Sequence, residues 1–411
     1  MFNVTDKVIF DNRVARREVR SYHPYAGTKY ENNDEIRVPV HNQEHIFLPS
    51  EADVHIEGEI VRSSADNTPS ATAVPDQNFA ANLFDEMRIE LNGKEIERTR
   101  RVGTTSAIKT FASYSKNEML ALQNAGYFLS ISTPPNEANI AHATTKLFHA
   151  IIPLSLLCGL FEDYRKPFIN CKLEFIFIRS RDDKCALFSA NAEDTAKVKV
   201  RKMYIKLPTL ILSDEEEVKR IKLIQKNPSI PVAFRSWSYH ELPTIPNSTK
   251  INWTVMTTSQ IEKPRVFMLA FQTDRKKINV SSSLFDHCNI RSVGVFLNSN
   301  FYPYEKAVAN FNNGDYSELY DMFIKFRNAY YQLDDNRSEP NISRSEFHSH
   351  CPIVVVNCME QVESIKSSSV DVRVEIETNE PIPANTTLHC IIIHDRIINY
   401  KPLTNEVFFF Q

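Results

Sequence analysis

Apolar and polar residues alternate along many segments of the chain. The alternation is clearest in residues 35–40, 53–57, 172–177, 197–201, 371–376 and 388–393. Because successive side chains of a strand point to opposite faces of a sheet, a period of two is typical of β-strands. Strands with one polar face belong to antiparallel sheets that cover a core on the other face. The pattern therefore predicts an all-β protein.

The strongest turn signal is Asn92-Gly93, which separates two alternating segments, 87–91 and 94–98. Both residue types tolerate the positive φ angles of a type I′ turn, so we predict a β-hairpin here. Three segments show neither the strand period nor the helix period and are predicted to be long loops. They are residues 63–77, 130–145 and 334–345.

Helix signals are few. Serine and glutamate have capping-box spacing at Ser115 and again at Ser213. Asp315 is predicted to cap a third helix, whose apolar residues recur every three or four positions from Tyr316 onwards. The helix that starts near Ser213 lies close to the midpoint of the chain. We interpret residues 213–228 as a helix that connects two halves.

The two halves of the chain resemble each other in sequence. Residues 88–92 match 294–298, residues 173–175 match 374–376, and Phe148-His149 matches Phe347-His348. The matches occur in the same order at an offset of roughly 200 residues, which indicates an internal repeat. A single large irregular β protein with chance similarities is the alternative.

The predicted elements of each repeat, short antiparallel strands with helices in long connections, are those of a jelly roll. We therefore predict two tandem eight-stranded antiparallel jelly rolls with short helices in the connecting loops. The first domain is expected over residues 1–212, with 1–22 as an N-terminal arm, and the second over residues 229–411.

Composition excludes several classes of enzyme. The 411 residues include only 8 glycines, and they are too widely spaced to form a phosphate-binding glycine loop. A kinase, a P-loop ATPase and a Rossmann dehydrogenase are therefore not expected. The net charge is −3, from 48 basic and 51 acidic residues. Any contact with nucleic acid must then be local.

The cysteines and sequons indicate a reducing compartment. The 7 cysteines are scattered without a Cys-x-x-Cys pair, which fits neither a disulfide framework nor a zinc ribbon. Seven Asn-x-Ser/Thr sequons occur, but no apolar leader precedes Asp6, so we expect them to be turns. The longest uncharged apolar run, 151–161, is much shorter than the roughly 20 residues that span a bilayer. We expect a soluble protein that is made in the cytosol or nucleus.

No catalytic, cofactor or metal site is predicted. The histidines of His348-Ser349-His350-Cys351 could ligate a metal, but we expect them to be loop residues beside a buried strand. The acid pairs Asp182-Asp183 and Asp334-Asp335 are expected in solvated turns. The chain has no Gly-x-Ser-x-Gly motif. We expect no enzyme activity and no small-molecule substrate.

Several motifs in residues 23–115 resemble one family. They are His23-Pro24-Tyr25, residues 34–39, Leu48-Pro49-Ser50-Glu51, Phe84-Asp85-Glu86 and Leu91-Asn92-Gly93. Together they are similar to the start of the double jelly-roll major capsid proteins of Polinton-like and adintovirus-like elements of animals. Beyond these residues the resemblance rests mainly on the repeat.

This resemblance implies a capsid subunit. Three chains would supply six jelly rolls to a pseudo-hexameric capsomer, and capsomers would tile an icosahedral shell. The expected partners are further copies of the chain and penton or minor capsid proteins. The expected location is the virion, after synthesis in the host cytoplasm and assembly in the cytoplasm or nucleus. The alternative function is a two-domain β-sandwich module that binds a glycan or a protein.

Both ends of the chain carry candidate contact residues. Arg13, Arg16, Arg17 and Arg20 form a basic cluster that could face the capsid interior and touch packaged DNA weakly. A solvated arm or an ion-pair surface between subunits is the alternative. Residues 275–277 form a lesser basic run. The aromatic end, Val407, Phe408, Phe409 and Phe410, is predicted to dock against the base of its own subunit or against a neighbouring subunit.

Overall fold

The computed structural model describes residues 13–41, 46–62, 69–70, 72–128, 140–255, 264–275, 277–334, 339–359 and 370–409. Over these residues every strand pair is antiparallel, and strands pair only within the first half or within the second half of the chain. The predicted all-β, antiparallel fold is confirmed. The domain boundaries at residues 212 and 229 stay our proposal.

The first half contains two main sheets. One has the strand order β1-β11-β4-β8 and the other β2-β9-β6-β7, while β3 and the β5-β10 ribbon are additions. Its strands are β1 (Val14–Tyr22), β2 (Glu35–His41), β3 (Ile46–Phe47), β4 (Asp53–Arg62), β5 (Val74–Pro75), β6 (Phe84–Leu91), β7 (Lys94–Arg100), β8 (Leu147–Pro153), β9 (Lys172–Arg179), β10 (Leu187–Phe188) and β11 (Ala196–Leu212).

The second half repeats this topology. Its sheets have the orders β12-β19-β14-β17 and β13-β18-β15-β16, with β20 as an addition. The strands are β12 (Ile230–Leu242), β13 (Lys250–Val255), β14 (Pro264–Thr273), β15 (Ile290–Leu297), β16 (Asn300–Tyr302), β17 (Val354–Asn357), β18 (Val372–Thr378), β19 (Thr386–Tyr400) and β20 (Val407–Phe409). By position in the sheets, β12 is the counterpart of β1, and β16 is the counterpart of β7. Eight strands of each half thus form the same two four-strand paths, which is the jelly-roll arrangement.

Short helices lie in the connections, as predicted. They are α1 (Phe79–Asn82), α2 (Val102–Ser113), α3 (Lys116–Ala121), α4 (Gly159–Asp163), α5 (Asp214–Lys226), α6 (Ser317–Tyr331) and α7 (Arg344–Ser349), together with 3₁₀ turns at Pro49–Glu51, Leu122–Ala125, Leu154–Leu156 and Phe311–Asn313. Helix α5 connects the two halves, and α2 and α6 occupy equivalent connections, from β7 to β8 and from β16 to β17.

Most of the predicted turns and helix caps are present in the structure. Asn92 and Gly93 have φ angles of 52° and 79°, and they connect β6 to β7. The equivalent turn between β15 and β16 uses Asn298, with φ 53°, and Ser299. Ser115 forms its capping box with Glu118. Ser213 is the N-cap of α5, but its side chain makes no capping bond.

Four details of the prediction were wrong. Helix α6 begins at Ser317 after Tyr316, because Asp315 is held in backbone hydrogen bonds with Asn310. The predicted loop 334–345 already contains the start of α7 at Arg344, and the predicted loop 63–77 contains β5, which pairs with β10. Finally, Phe148 lies in β8, whereas its supposed match Phe347 lies in α7, so this third repeat match does not relate equivalent positions.

Candidate assembly surfaces

The two halves meet along β12, the edge strand of the second half. Helix α4 and strand β7 of the first half pack against it. Asp163 accepts hydrogen bonds from the backbone N–H and the Nε of Arg235, both at 2.8 Å. A Cβ added at Gly159 would overlap the carbonyl oxygen of Arg235. An edge strand offers unpaired backbone groups, and here α4 covers that edge and supplies an acceptor.

A buried ion pair lies at the centre of this interface. Lys109 Nζ is 2.6 Å from Glu162 Oε1, and both side chains are almost fully buried. The hydroxyls of Tyr330 and Tyr331, from the second half, donate to Glu162 at 2.7 and 2.6 Å. Lys109 also lies 4.9 Å from the ring centroid of Trp237. Burial lowers the pKa of Lys109, and the partners compensate part of its desolvation.

A second buried contact joins the halves at the β5-β10 ribbon. Asp76 is fully buried and accepts hydrogen bonds from Ser281 Oγ at 3.0 Å and from the backbone N–H of Ser282 at 2.9 Å. Burial raises the pKa of Asp76. Ser283 Oγ donates to the carbonyl of Gln77 at 2.8 Å. The carboxylate of the first half therefore fixes a loop of the second.

Glu97 positions α4 from within the first half. The backbone N–H groups of Gly159 and Leu160 donate to its two carboxylate oxygens at 3.2 and 2.9 Å. Burial raises the pKa of Glu97 to about 7. The two N–H groups and the charge of Arg396 lower this pKa but do not outweigh burial. The group that holds α4 against β12 therefore titrates near neutral pH.

The basic cluster predicted near the N terminus lies on β1. Arg16 and Arg20 pair with Glu18 of the same strand, and Arg17 pairs with Glu51. These contacts neutralise part of the cluster. Arg13 precedes the strand, and its carbonyl accepts the N–H of Ser213 at 3.0 Å. Residues 14–22 are a sheet strand, which corrects the arm predicted over 1–22; residues 1–12 lie outside the described part.

The aromatic C-terminal residues form β20, which pairs with β19. Lys94 of the first half donates to the carbonyl of Val407 at 3.1 Å and lies 4.4 Å from the ring centroid of Phe409. Phe408 is 43% exposed. The described part of this segment thus contacts both halves of its own chain, and Phe410 lies outside the described residues.

Two of the remaining candidate residues do not lie where the sequence predicted. Asp183 is buried and pairs with Arg179 at 2.8 Å, so it is not in a solvated turn, whereas Asp334 is exposed and Asp335 lies outside the described residues. His348 lies in the last turn of α7 and not in a loop. In the basic run 275–277, the two flanking residues pair with acids, and Lys276 lies outside the described part.

The residues that join the halves were not predicted from the sequence. One signal was available, because Lys109 is the only charged residue of α2 and stands among apolar neighbours. Trp237 is one of 2 tryptophans in the chain. Asp76 and Asp163 carry no such signal, since their partners are more than 70 residues away in sequence.

The described residues contain neither a metal-binding cluster nor a membrane-spanning helix. No group of three or more His, Cys, Asp or Glu side chains in this part of the chain is placed to hold a metal ion. Within the same residues, no helix combines the length and the apolar character that a membrane span requires.

The repeated sheet order defines a tandem of two jelly rolls. The family model for the double jelly roll-like domain matches residues 73–398, and the chain belongs to this family. No curated protein matches the chain. Among solved structures, VP54 of PBCV-1, fitted into a reconstruction of the virophage Sputnik, has a TM-score of 0.61 at 8% identity, covering 98% of this chain and 99% of that one.

Two further structures are similar. The Faustovirus major capsid protein has a TM-score of 0.58 at 10% identity, covering 96% of this chain and 92% of that one. The mavirus major capsid protein has a TM-score of 0.52 at 11% identity, covering 99% of this chain and 92% of that one. At such low identity the likeness shows a shared fold over nearly the whole chain.

Proposed function

We propose that this chain is a major capsid protein, a structural protein without enzyme activity. Three copies form a pseudo-hexameric capsomer, and capsomers build an icosahedral shell. The family and the fold of the similar capsid proteins support this function. The virion is the proposed location, with synthesis in the host cytoplasm and assembly there or in the nucleus. Relation to Polinton-like elements and contacts with penton or minor capsid proteins belong to the same proposal.

The observation that carries the proposal is the buried interface between the halves. Two similar jelly rolls form a pseudo-hexagon only if their relative orientation is fixed. Arg235 with Asp163, Tyr330 with Glu162, and Asp76 with the serine loop are polar contacts between the halves that require one geometry. Buried polar groups must keep their partners. The chain therefore presents its two jelly rolls as one unit.

Size-exclusion chromatography with light scattering, followed by negative-stain imaging of the full chain, tests the function. We expect particles of three times the 47.4 kDa chain mass with a hexagonal outline, or shells. A protein that stays monomeric at all concentrations would contradict the proposal and favour a β-sandwich module that binds a glycan or a protein.

We also propose that Arg13, Arg16, Arg17 and Arg20 face the capsid interior and contact packaged DNA weakly. Binding to phosphates releases counterions and must weaken as salt increases. The measurement is DNA affinity of the assembled protein at several salt concentrations, for the wild type and for a variant with alanine at the four positions. Affinity that does not change with salt or with the substitutions would reject this contact.

For Val407, Phe408, Phe409 and Phe410 we propose a role in subunit docking. Phe408 is exposed in the single chain, and aromatic side chains supply large contact areas at low entropic cost. Deletion of residues 407–411 is expected to weaken trimers in sedimentation experiments. Unchanged trimer stability and assembly would remove this role.

A further inference from the structure

An open cleft lies between the two halves, at the end of β12 that is far from α5. It has a volume of about 710 Å³ and is lined by the start of β6, the end of β7 and the ends of β12 and β13. Strand β12 begins at Ile230, just after α5, and ends at Leu242, so the cleft lies roughly 30 Å from that helix. Its lining combines basic, acidic and aromatic side chains.

Arg101 lies between carboxylates of the two halves in this cleft. Its guanidinium is 3.4 Å from Asp85 of the first half and 3.8 Å from Glu241 of the second. Both distances exceed the roughly 2.7–2.9 Å of a strong hydrogen bond between charged groups, so these contacts do not use up its several N–H donors. Arg101 also has a φ of 46°, a left-handed conformation that is costly for a residue with a side chain and is concentrated at binding sites.

A hydrogen-bond chain that reaches into the core positions Glu241. The hydroxyl of Tyr239 donates to Glu241 Oε2 at 2.8 Å, and Nδ1 of His389 lies 2.6 Å from the same hydroxyl. Because the hydroxyl has a single proton, Nδ1 of His389 is the donor in the second bond. His389 is buried, and burial, with a smaller effect of Arg101, lowers its pKa to about 3. The neutral ring and the tyrosine therefore hold the carboxylate in one orientation, which lowers the cost of binding.

The cleft also offers an aromatic surface and an unpaired ring nitrogen. Trp253, the second of the 2 tryptophans of the chain, is half-buried and lines the cleft. The Nε2 atom of His240, another lining residue, is buried and has no hydrogen-bond partner among the described residues. A buried polar atom without a partner is unfavourable, and a group that bonds to it relieves that cost.

The lining is suited to a ligand with one negative charge, several hydroxyls and an apolar face. A multiply charged anion would meet the carboxylates of Asp85, Glu86 and Glu241 in the same cleft. A single carboxylate forms parallel hydrogen bonds with a guanidinium, and hydroxyls donate to carboxylates. The C–H face of a pyranose ring packs on an indole ring, while its hydroxyls bond to the polar groups around it. A pyranose that carries a carboxylate has all of these features.

We propose that this cleft binds a pyranose with a carboxylate, the chemistry that sialic acids and uronic acids share. Arg101 and the neighbouring Arg100 contact the carboxylate of the sugar. Asp85 and Glu241 accept hydrogen bonds from its hydroxyls, and Trp253 packs against its ring.

The proposed function gives the cleft a direction. The backbone carbonyl of Arg13, a residue proposed to face the capsid interior, accepts the N–H of Ser213 at the start of α5. The cleft lies at the opposite end of the molecule and so faces outward, where saccharides of a host surface are within reach. Only this orientation rests on the proposed function, because binding of the sugar is a property of the single chain.

Isothermal titration calorimetry of the full chain tests the binding. The ligands are the methyl glycosides of N-acetylneuraminic acid, glucuronic acid and glucose. We expect at least one acidic glycoside to bind about tenfold or more tightly than the neutral glucoside, since a hydrogen bond to a charged group contributes that much. The tighter of the two acids identifies the source of the carboxylate. Acidic glycosides that bind no better than the glucoside would overturn the proposal.

Two arginine variants test the assigned contact. Arg101→Gln should weaken binding of the acidic glycoside about tenfold or more and leave the neutral glucoside unchanged. Arg201→Gln is the matched control, because both arginine side chains are 53% exposed and Arg201 also pairs with an acid, Glu59. It should bind as the wild type does. Equal losses in the two variants, with native circular dichroism in both, would contradict the role of Arg101.

Tryptophan fluorescence locates the bound sugar independently of Arg101. The acidic glycoside should change the emission of the wild type, because Trp253 lines the cleft while Trp237 is 1% exposed. Trp253→Phe keeps an aromatic ring, so calorimetry should still detect binding while the change in emission disappears. A change that persists in this variant would place the sugar elsewhere and refute the assignment.

The failures of the two proposals are distinguishable. A trimer in light scattering that shows no preference for acidic glycosides would refute the sugar site and leave the proposed function intact. A chain that stays monomeric but binds the acidic glycoside through Arg101 would refute the capsid function and leave the sugar site intact.

Discussion

Strands β1 and β12 occupy the same place in their jelly rolls, yet their compositions differ. β12 carries Val232, Phe234, Trp237 and Tyr239, all buried, whereas β1 carries three arginines and no buried side chain. The fold sets the position of an edge strand, but its side chains decide what it contacts. One edge is therefore completed within the chain, whereas the composition of the other suits a charged, solvent-accessible surface.

Trp237→Ala should produce the largest difference between the two strands. Truncating a fully buried tryptophan leaves a cavity between the halves, at a cost of about 3–5 kcal/mol in the free energy of unfolding. Val19→Ala on β1 is the matched control, and an exposed position should cost less than about 0.5 kcal/mol in the monomer. Urea denaturation of both variants measures this. Equal losses would contradict the assignment of β12 as the covered edge.

The ion pairs of the two regions should also differ. Lys109→Met leaves the buried carboxylate of Glu162 without its cation, so we expect a loss of about 3–5 kcal/mol. Arg17→Met breaks an exposed pair with Glu51, and its cost should be at most about 1 kcal/mol. The double variant Lys109→Met with Glu162→Leu should recover part of the loss, because no uncompensated charge stays buried. No recovery in this variant would contradict the account of the pair.

The stability of the chain should depend on pH through Glu97. The pKa of Glu97 rises from 4.5 to about 7 in the folded chain, so the folded state binds more protons than the unfolded state between these values. Its contribution to stability therefore falls as pH increases through this window, by about 3 kcal/mol in total. Glu97→Gln does not titrate and should become more stable relative to the wild type as pH rises from 5 to 8. Denaturation at several pH values measures the difference, and a constant difference would refute it.

Gly159→Ala should have the smallest effect of the four. The added methyl group overlaps the backbone of Arg235, so α4 must shift away from β12, at a cost of about 1–3 kcal/mol. Ala15→Ser on the exposed β1 adds a group of similar size and should change stability by less than about 0.5 kcal/mol. Thermal unfolding compares the two. An unchanged Gly159→Ala variant would show that the contact between α4 and β12 is loose.

Much of the fold was predictable from the sequence because it is recorded in local patterns. Alternation in residues 35–40 and 172–177, and the Asn92-Gly93 turn, report strands whose outer face is polar. The repeat adds long-range information, since two matches fall in the equivalent strand pairs β6 with β15 and β9 with β18. These signals sufficed for the tandem arrangement of two jelly rolls.

The surfaces were much less predictable. Asp183 has the sequence context of a turn residue. In the structure its buried carboxylate accepts hydrogen bonds from the side chain of Arg179 and from the backbone N–H of Val198. The arginines were recognised as a cluster, while their placement on an edge strand depends on the pairing of β1 with β11, nearly 200 residues away. Contacts made by folding distant segments together have no local signature, which is why the interface residues were missed.

The pairing of β12 with β19 also sets an order in time. Ile230 pairs with Tyr400, and Leu242 pairs with Leu388, so β12 leaves the ribosome long before its partner strand exists. At roughly 5–20 residues per second, about 150 further residues take on the order of 10–30 s to synthesise. The strands of the first half are complete before this interval begins. During synthesis, the finished first jelly roll can therefore hold β12 through α4 and β7 while the rest of the second sheet is still being made.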